Sequence, residues 1–235
     1  MRALLLAAGY GTRLKPITDN IPKCLVPING KPLLDFWLEE LYKADIGPIL
    51  INTHYLSNQV EKYVNDCQYF GGLKLVYEPI LLGTAGTIIK NIDFFNNEDC
   101  MVIHADNYSL ANILRFKEEH IRRPNQCLMS MLTFRTENPT NCGIVEVDEN
   151  NIVINFHEKI KNPPGNLANG AVYIISKELL NIISKDYKMC TDFSTDVISK
   201  LLGKIYSHEI SQVFIDIGTP ENYKKANELN NYKLN

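Results

Sequence analysis

An apolar run, Ala3-Leu4-Leu5-Leu6-Ala7, breaks directly into Ala8-Gly9-Tyr10-Gly11-Thr12-Arg13-Leu14-Lys15-Pro16, and Pro22-Lys23-Cys24-Leu25-Val26-Pro27 follows. Such a run reads as a buried strand that ends in a glycine-containing loop. Backbone N–H groups in the loop, with Arg13 and Lys23 near them, set positive charge where a polyphosphate would sit. Spacing excludes the two familiar phosphate loops. A dinucleotide fingerprint needs a third glycine where Leu14 stands and an acidic residue where Asn52-Thr53-His54 stand, and the P-loop sequence is absent. What remains suits a nucleoside triphosphate whose α-phosphate charge must be stabilised; the alternative is a glycine turn with solvated Arg and Lys.

Behind this loop, strand patterns alternate with helical ones. Leu34, Trp37, Leu38 and Leu41 share one face of a helix predicted over 33–44. Ile49 to Asn52 reads as a strand, Ser57 to Asn65 as a helix, Leu73 to Tyr77 as a strand, and a short helix starts near Thr84 or Ala85. Met101-Val102-Ile103-His104 forms a further buried strand that ends at Ala105-Asp106-Asn107. This order predicts a parallel sheet with helices on both faces. The second half differs: strands near 127–134, 143–148 and 152–156 follow one another, the last two across the turn Asp148-Glu149-Asn150-Asn151. After them come a strand at 171–175, helices near 176–184 and 193–202, the strand Val213-Phe214-Ile215, and a helix from Pro220. The expected fold is α/β: a doubly wound, mostly parallel (mixed) central sheet with helices on both faces and a small antiparallel insert. One domain, 1–235, is expected to carry a nucleotide-binding lobe over about 1–110 and a sugar-phosphate lobe over about 111–235. The polar end, 229–235, is expected to fray.

Composition narrows the partners. With Lys+Arg 24 against Asp+Glu 27, a net charge of -3 argues against nucleic acid, whose binders show a basic excess. No apolar run reaches the roughly 18 residues of a membrane span, and the N-terminus has no signal-peptide pattern, so a cytoplasmic protein without a membrane partner is expected. Six cysteines, at 24, 67, 100, 127, 142 and 190, form no C-x-x-C pair and read as small buried thiols rather than disulfides or zinc ligands. The five histidines have no ligand spacing.

Taken together, these segments resemble the sugar-1-phosphate nucleotidyltransferases, with a GT-A-like fold, over nearly the whole chain. Leu6 to Pro16 with Pro22 to Pro27 is similar to that family's signature loop, although Cys24 stands where proline is commoner. Glu78-Pro79 with Leu82-Gly83-Thr84-Ala85-Gly86-Thr87 is similar to its base-contacting segment, in a form nearer to mannose-1-phosphate and heptose-1-phosphate guanylyltransferases than to thymidylyltransferases. Phe156-His157-Glu158-Lys159, Asn169-Gly170 and Phe214-Ile215-Asp216-Ile217-Gly218-Thr219-Pro220 complete the set. His104-Ala105-Asp106-Asn107 departs from the family's Gly-Asp form.

The resemblance implies direct displacement at the α-phosphorus with Mg²⁺ as cofactor and no covalent enzyme intermediate. It assigns Arg13, Lys23, Asp106 and Asp216 to catalysis, the two aspartates as metal ligands. Leu6, Ala8, Gly9, Gly11, Thr12, Arg13, Lys23, Gly83 and Thr84 would bind the nucleotide, and Asn107, Gly143, Glu158, Lys159, Asn169 and Gly170 the sugar phosphate. From the residues alone, both aspartates follow strands, which is the ligand edge of an α/β sheet and equally the place of N-cap and turn aspartates. Glu158 beside Lys159 also reads as an exposed ion pair, and Gly83 as a tight turn. By motif form, GTP and a mannose- or heptose-type sugar 1-phosphate are expected, for glycan or surface polysaccharide synthesis; UTP-, dTTP- or CTP-dependent enzymes and a non-catalytic regulatory subunit are the alternatives. The family often forms homodimers. No hexapeptide repeat of a β-helix follows.

Overall fold

The computed structural model describes residues 1–67 and 72–231. Along the chain, β1 (Arg2–Leu6) is followed by 3-10 turns at Thr12–Leu14, Ile17–Asp19 and Lys23–Leu25, a hairpin of β2 (Pro27–Ile28) and β3 (Lys31–Pro32), and α1 (Leu33–Lys43). Then come β4 (Ile49–Thr53), α2 (Ser57–Asp66), β5 (Leu73–Tyr77), α3 (Gly83–Lys90), β6 (Cys100–His104), β7 (Asn107–Ser109) and α4 (Ile113–Arg122). Four strands follow: β8 (Met129–Arg135), β9 (Gly143–Val147), β10 (Val153–Glu158) and β11 (Leu167–Ile175). The chain continues through α5 (Lys177–Asp186), α6 (Phe193–Asp196), β12 (Ile205–Ile210), β13 (Phe214–Asp216) and α7 (Pro220–Asn231). Among the described residues, nine strands belong to one mixed sheet.

Contacts divide the chain into two compact units, and neither is one continuous segment. The first comprises Leu4–Leu81, His104–Ile113 and Gln212–Asn235. Its part of the large sheet has the order β1-β4-β5, with β4 and β5 parallel from Ile49↔Leu73 to Thr53↔Tyr77. Leu14, Val26, Ile28, Leu33, Tyr108, Ile215, Ile217 and Ala226 pack into one apolar cluster, with the Phe36 ring edge-on to Tyr108 at 5.0 Å. Leu14, Val26, Tyr108 and Ile215 each lie within three residues of Arg13, Lys23, Asp106 or Asp216. The charged groups therefore stand on a packed apolar floor.

β7 and β13 form a separate two-stranded antiparallel sheet, with Phe214↔Ser109, Ile215↔Tyr108 and Asp216↔Asn107 paired. That register fixes the chain carrying Asp216 against the chain carrying Asp106, although 110 positions of sequence separate them. A strand at 213–215 follows from the sequence; its three-residue partner β7 is too short to show a period.

The second unit comprises Met1–Ala3, Leu82–Ile103 and Leu114–Ser211. Its strand order is β10-β9-β11-β6, with β8 between β11 and β12. β12 runs parallel to β8, while β9 with β10, and β11 with both β6 and β8, are antiparallel. The antiparallel strands are thus members of the large sheet itself. β11 begins at Leu167, earlier than the expected 171, because Ala168 and Asn169 pair with Phe134 and Thr133 before the register shifts.

The helix expected over 193–202 is instead α6 and a separate 3-10 turn at Ile198–Lys200. Asp192 caps α6 by accepting from the Thr195 N–H at 2.8 Å. The helix α4 and the strand β12 are additions to the sequence reading. All six cysteines are free, three buried and three half-buried, so the expected burial holds for Cys24, Cys100 and Cys127 only. Of the end expected to fray, 229–231 continue α7, and 232–235 lie outside the described residues. Among the described residues, no helix is long and apolar enough to cross a membrane.

Candidate active site

Four charged side chains from three separate segments meet in the first unit. Lys23, whose side chain is 7% exposed, lies 2.8 Å from Asp106 Oδ2 and 3.0 Å from Asp216 Oδ1 through its Nζ. Arg13 Nη2 stands 3.3 Å from Asp216 Oδ2, with a side chain 66% exposed. One cation is thus buried between two carboxylates, and a second reaches Asp216 from solvent. Burial alone would lower the Lys23 ammonium, but Asp106 and Asp216 outweigh it and hold its pKa above the ordinary value. Burial likewise pushes the Asp106 carboxyl up, and Lys23 together with His104 reverses this and holds it low.

Gly218 makes room for the arrangement. A Cβ there would meet Arg13 Nη2 at 2.7 Å and Asp216 Oδ1 at 2.8 Å, and its N–H donates to Asp216 Oδ1 at 2.8 Å. Asn222 donates to the Asp216 carbonyl at 2.8 Å, so the start of α7 braces the same residue. Asn107 is buried, with its carbonyl accepting from Trp37 Nε1 at 2.8 Å.

The glycine loop follows from strong local constraints. Gly11 has φ +64°, and a Cβ would meet Thr18 Cγ2 at 2.9 Å and Lys23 Cβ at 3.3 Å, so backbone and packing both demand glycine. Its carbonyl accepts from the Leu14 N–H at 2.9 Å and the buried Thr18 hydroxyl at 2.7 Å. Gly9 differs: a Cβ there meets nothing within 4 Å. Leu6 ends β1, and Ala8 is buried beside Gly9. Thr12 opens the 3-10 turn that carries Arg13.

Gly83, Thr84, Gly143, Glu158, Lys159, Asn169 and Gly170 lie in the second unit. Gly83 has φ +76°, and the Thr191 carbonyl stands where its Cβ would be. Thr84 Oγ1 accepts from the Phe193 N–H at 2.7 Å. These residues are locked to the segment 191–193, which Asp196 holds by accepting from the N–H groups of Thr191 and Asp192 at 3.0 Å. The Phe193 ring lies 5.1 Å from Tyr173, whose hydroxyl accepts from Asn169 Nδ2 at 2.8 Å. Hydrogen bonds and ring contacts therefore link Thr84 to Asn169. At the other end, Gly143 pairs with Glu158, and a Cβ there would meet Glu158 Oε2 at 2.7 Å. Lys159, in a left-handed conformation, lies 3.1 Å from Glu158 Oε1. Gly170 is buried in β11.

The two aspartates fit a magnesium ion by donor chemistry. They are hard oxygen donors converging on one point, now held by the Lys23 ammonium, and Mg²⁺ takes one or two carboxylates with substrate oxygens and water completing its shell. Among the described residues, no group of three or more His, Cys, Asp or Glu gathers as a metal site.

The sequence reading names every member of the charged cluster. Missing from that reading are Thr191, whose partner Gly83 is distant in sequence, and Tyr173, Asp192 and Asp196, which brace the same segment. Gly218 stands within the Phe214–Pro220 motif, but the clearance it gives Arg13 arises only in the folded chain. Comparison with known proteins completes the picture. Residues 2–232 match the family described as nucleotidyl transferase. The D-glycero-alpha-D-manno-heptose 1-phosphate guanylyltransferase of Campylobacter jejuni is 33% identical, over 95% of this chain and 97% of that one. The glucose-1-phosphate adenylyltransferase of Fervidobacterium nodosum is 30% identical over 95% of this chain, which spans 60% of that protein. The crystal structure of HddC from Yersinia pseudotuberculosis complexed with GMP-PN is 27% identical, with a TM-score of 0.79 over 97% of this chain and 98% of that one. A charged centre on a glycine loop and a match over nearly the full length agree: the chain belongs to the nucleotidyl transferase family.

Proposed function

We propose that the chain joins a nucleoside triphosphate, GTP by preference, to a sugar 1-phosphate of mannose or heptose type, releasing pyrophosphate. The nucleotide-activated sugar would serve glycan or surface polysaccharide synthesis. The observation that carries the reading is Lys23, buried between Asp106 and Asp216 with Arg13 beside them. A phosphate oxygen of the sugar 1-phosphate attacks the α-phosphorus, a new P–O bond forms, and the bond to the bridging oxygen of the leaving pyrophosphate breaks. Two anions are joined, so catalysis consists of positioning and charge stabilisation. Lys23 and Arg13 offer cations to the triphosphate. Asp106 and Asp216 would hold Mg²⁺, which when bound supplies positive charge to phosphate oxygens. Glu158, Lys159, Asn169 and Gly170, with Gly143 and Asn107, are assigned to the sugar phosphate, and Gly83 and Thr84 to the nucleotide. The preference for guanine and a heptose- or mannose-type sugar is supported by the Campylobacter relative's name and by the segment from Glu78 to Thr87.

The test incubates purified protein and Mg²⁺ with GTP, CTP, UTP, dTTP or ATP against hexose and heptose 1-phosphates, measuring pyrophosphate release and product mass. The expected result is release with GTP and a manno-configured partner, abolished by a chelator and restored by Mg²⁺. Release with another base revises the specificity; no release from any pair overturns the transferase reading.

A further inference from the structure

Asn52 occupies an unusual place: a polar side chain, 3% exposed, on the strand β4, whose five residues are all buried. Burying an amide is unfavourable unless both its ends are satisfied, and here both ends serve the edge that carries the glycine loop. Oδ1 accepts from the Ala7 N–H at 2.7 Å, and Nδ2 donates to Glu78 Oε1 at 2.9 Å. Glu78, also 3% exposed, donates its own N–H to the Thr53 carbonyl at 2.9 Å. Its carbonyl lies 2.6 Å from His54 Nδ1, and because a carbonyl only accepts, the ring hydrogen belongs on Nδ1. In the neutral ring, Nε2 then accepts from the Tyr10 hydroxyl at 2.9 Å. The glycine loop is therefore tied at two points to one residue, Glu78: before Gly9 through Ala7 and Asn52, and after it through Tyr10 and His54. Between the ties lies Gly9, whose missing side chain answers to no neighbour in the protein.

We propose that Asn52 is a positioning residue for the nucleotide, holding the start of the glycine loop against the Glu78 strand end so that the backbone around Gly9 meets the triphosphate in one fixed geometry. The proposal rests on the nucleotide reading above. Its rival is that Asn52 satisfies buried neighbours and nothing more.

Nucleotide affinity separates the two. Asn52→Ala removes both bonds of the inner tie, while Tyr10→Phe removes only the outer one, at a ring 48% exposed to solvent. Each variant is compared with wild type by GTP binding calorimetry, melting temperature, and KM for nucleotide and for sugar phosphate. Tyr10→Phe is expected to melt with wild type and to raise Kd and KM for nucleotide by about threefold to tenfold, the worth of one hydrogen bond. Folded Asn52→Ala is expected to show a larger rise, on the order of 30-fold for two bonds, and KM for the sugar phosphate stays unchanged in both. Unchanged nucleotide affinity in both variants overturns the proposal. So does a loss in Asn52→Ala that only follows a falling melting temperature while Tyr10→Phe is normal. A wild type that binds no nucleotide is a different failure, of the nucleotide reading itself, and is visible before any variant is compared.

Discussion

The Lys23 ammonium is buried in the first unit and meets two carboxylates, Asp106 and Asp216. Asp106, held below its ordinary 3.8, contributes stability at every pH above that value and loses it as pH falls through the lowered pKa. Lys23, held above 10.5, contributes below that value and loses it as pH rises through the raised pKa. In Lys23→Met, burial no longer meets its main opposition and Asp106 titrates higher. The melting-temperature gap between wild type and variant is expected to be widest between about 3.8 and 10.5 and to close towards acid, as Asp106 protonates. Turnover is expected to fall by a factor on the order of 10²–10³, the scale of one lost charge-stabilising group. Gly9→Ala should behave in the opposite sense. With no neighbour near the new Cβ and no positive φ, it is expected to gain about 0.4–1 kcal/mol from the unfolded state while losing roughly tenfold or more in nucleotide affinity. Urea unfolding and calorimetry read the two effects separately.

Segments, rather than single residues, explain why glycines in similar motifs answer to different demands. Gly83→Ala forces a left-handed alanine against the Thr191 carbonyl and is expected to lose about 1–3 kcal/mol in urea unfolding. Gly218→Ala meets the exposed, flexible end of Arg13 and one Asp216 oxygen. It should leave the melting temperature nearly intact and lower kcat/KM by roughly tenfold to 100-fold, as Arg13 is turned away. The sequence foretold the glycine loop because its determinants are local: an apolar strand, two glycines and a cation. Thr84 bonding to Phe193, 109 positions away, leaves no local trace. The helix α4 escaped for another reason. Its buried face carries Ile113, Phe116 and His120, only two of them apolar, while Leu114 and Ile121 face solvent, so apolar residues recur too seldom to mark a period. His120, bonded to Ser130 Oγ at 2.8 Å and beside Asp99, is a satisfied core histidine that periodicity counts as polar.

At the scale of the molecule, the alternation of strands and helices made the α/β class legible. The division into interleaved units was not, since it depends on which distant segments pack. That division is open to measurement. A ligand at about 100 times its Kd stabilises the folded form by about 2.7 kcal/mol, which for a chain of this length raises Tm by roughly 5–10 °C. If the two units unfold together, scanning calorimetry with GTP is expected to move a single transition by that amount. If they unfold apart, the trace splits into two transitions, and the one that GTP moves identifies the unit whose unfolding releases the nucleotide.

The bond between Lys23 and Asp216 spans 193 positions of sequence. On the ribosome, a chain complete through β12 already holds Lys23 and Asp106 but lacks the strand that brings the second carboxylate. Until β13 emerges, the ammonium has one of its two carboxylates, and Arg13 lacks the Asp216 it meets in the folded unit. The charged centre is thus assembled in order, its first acid long before its second.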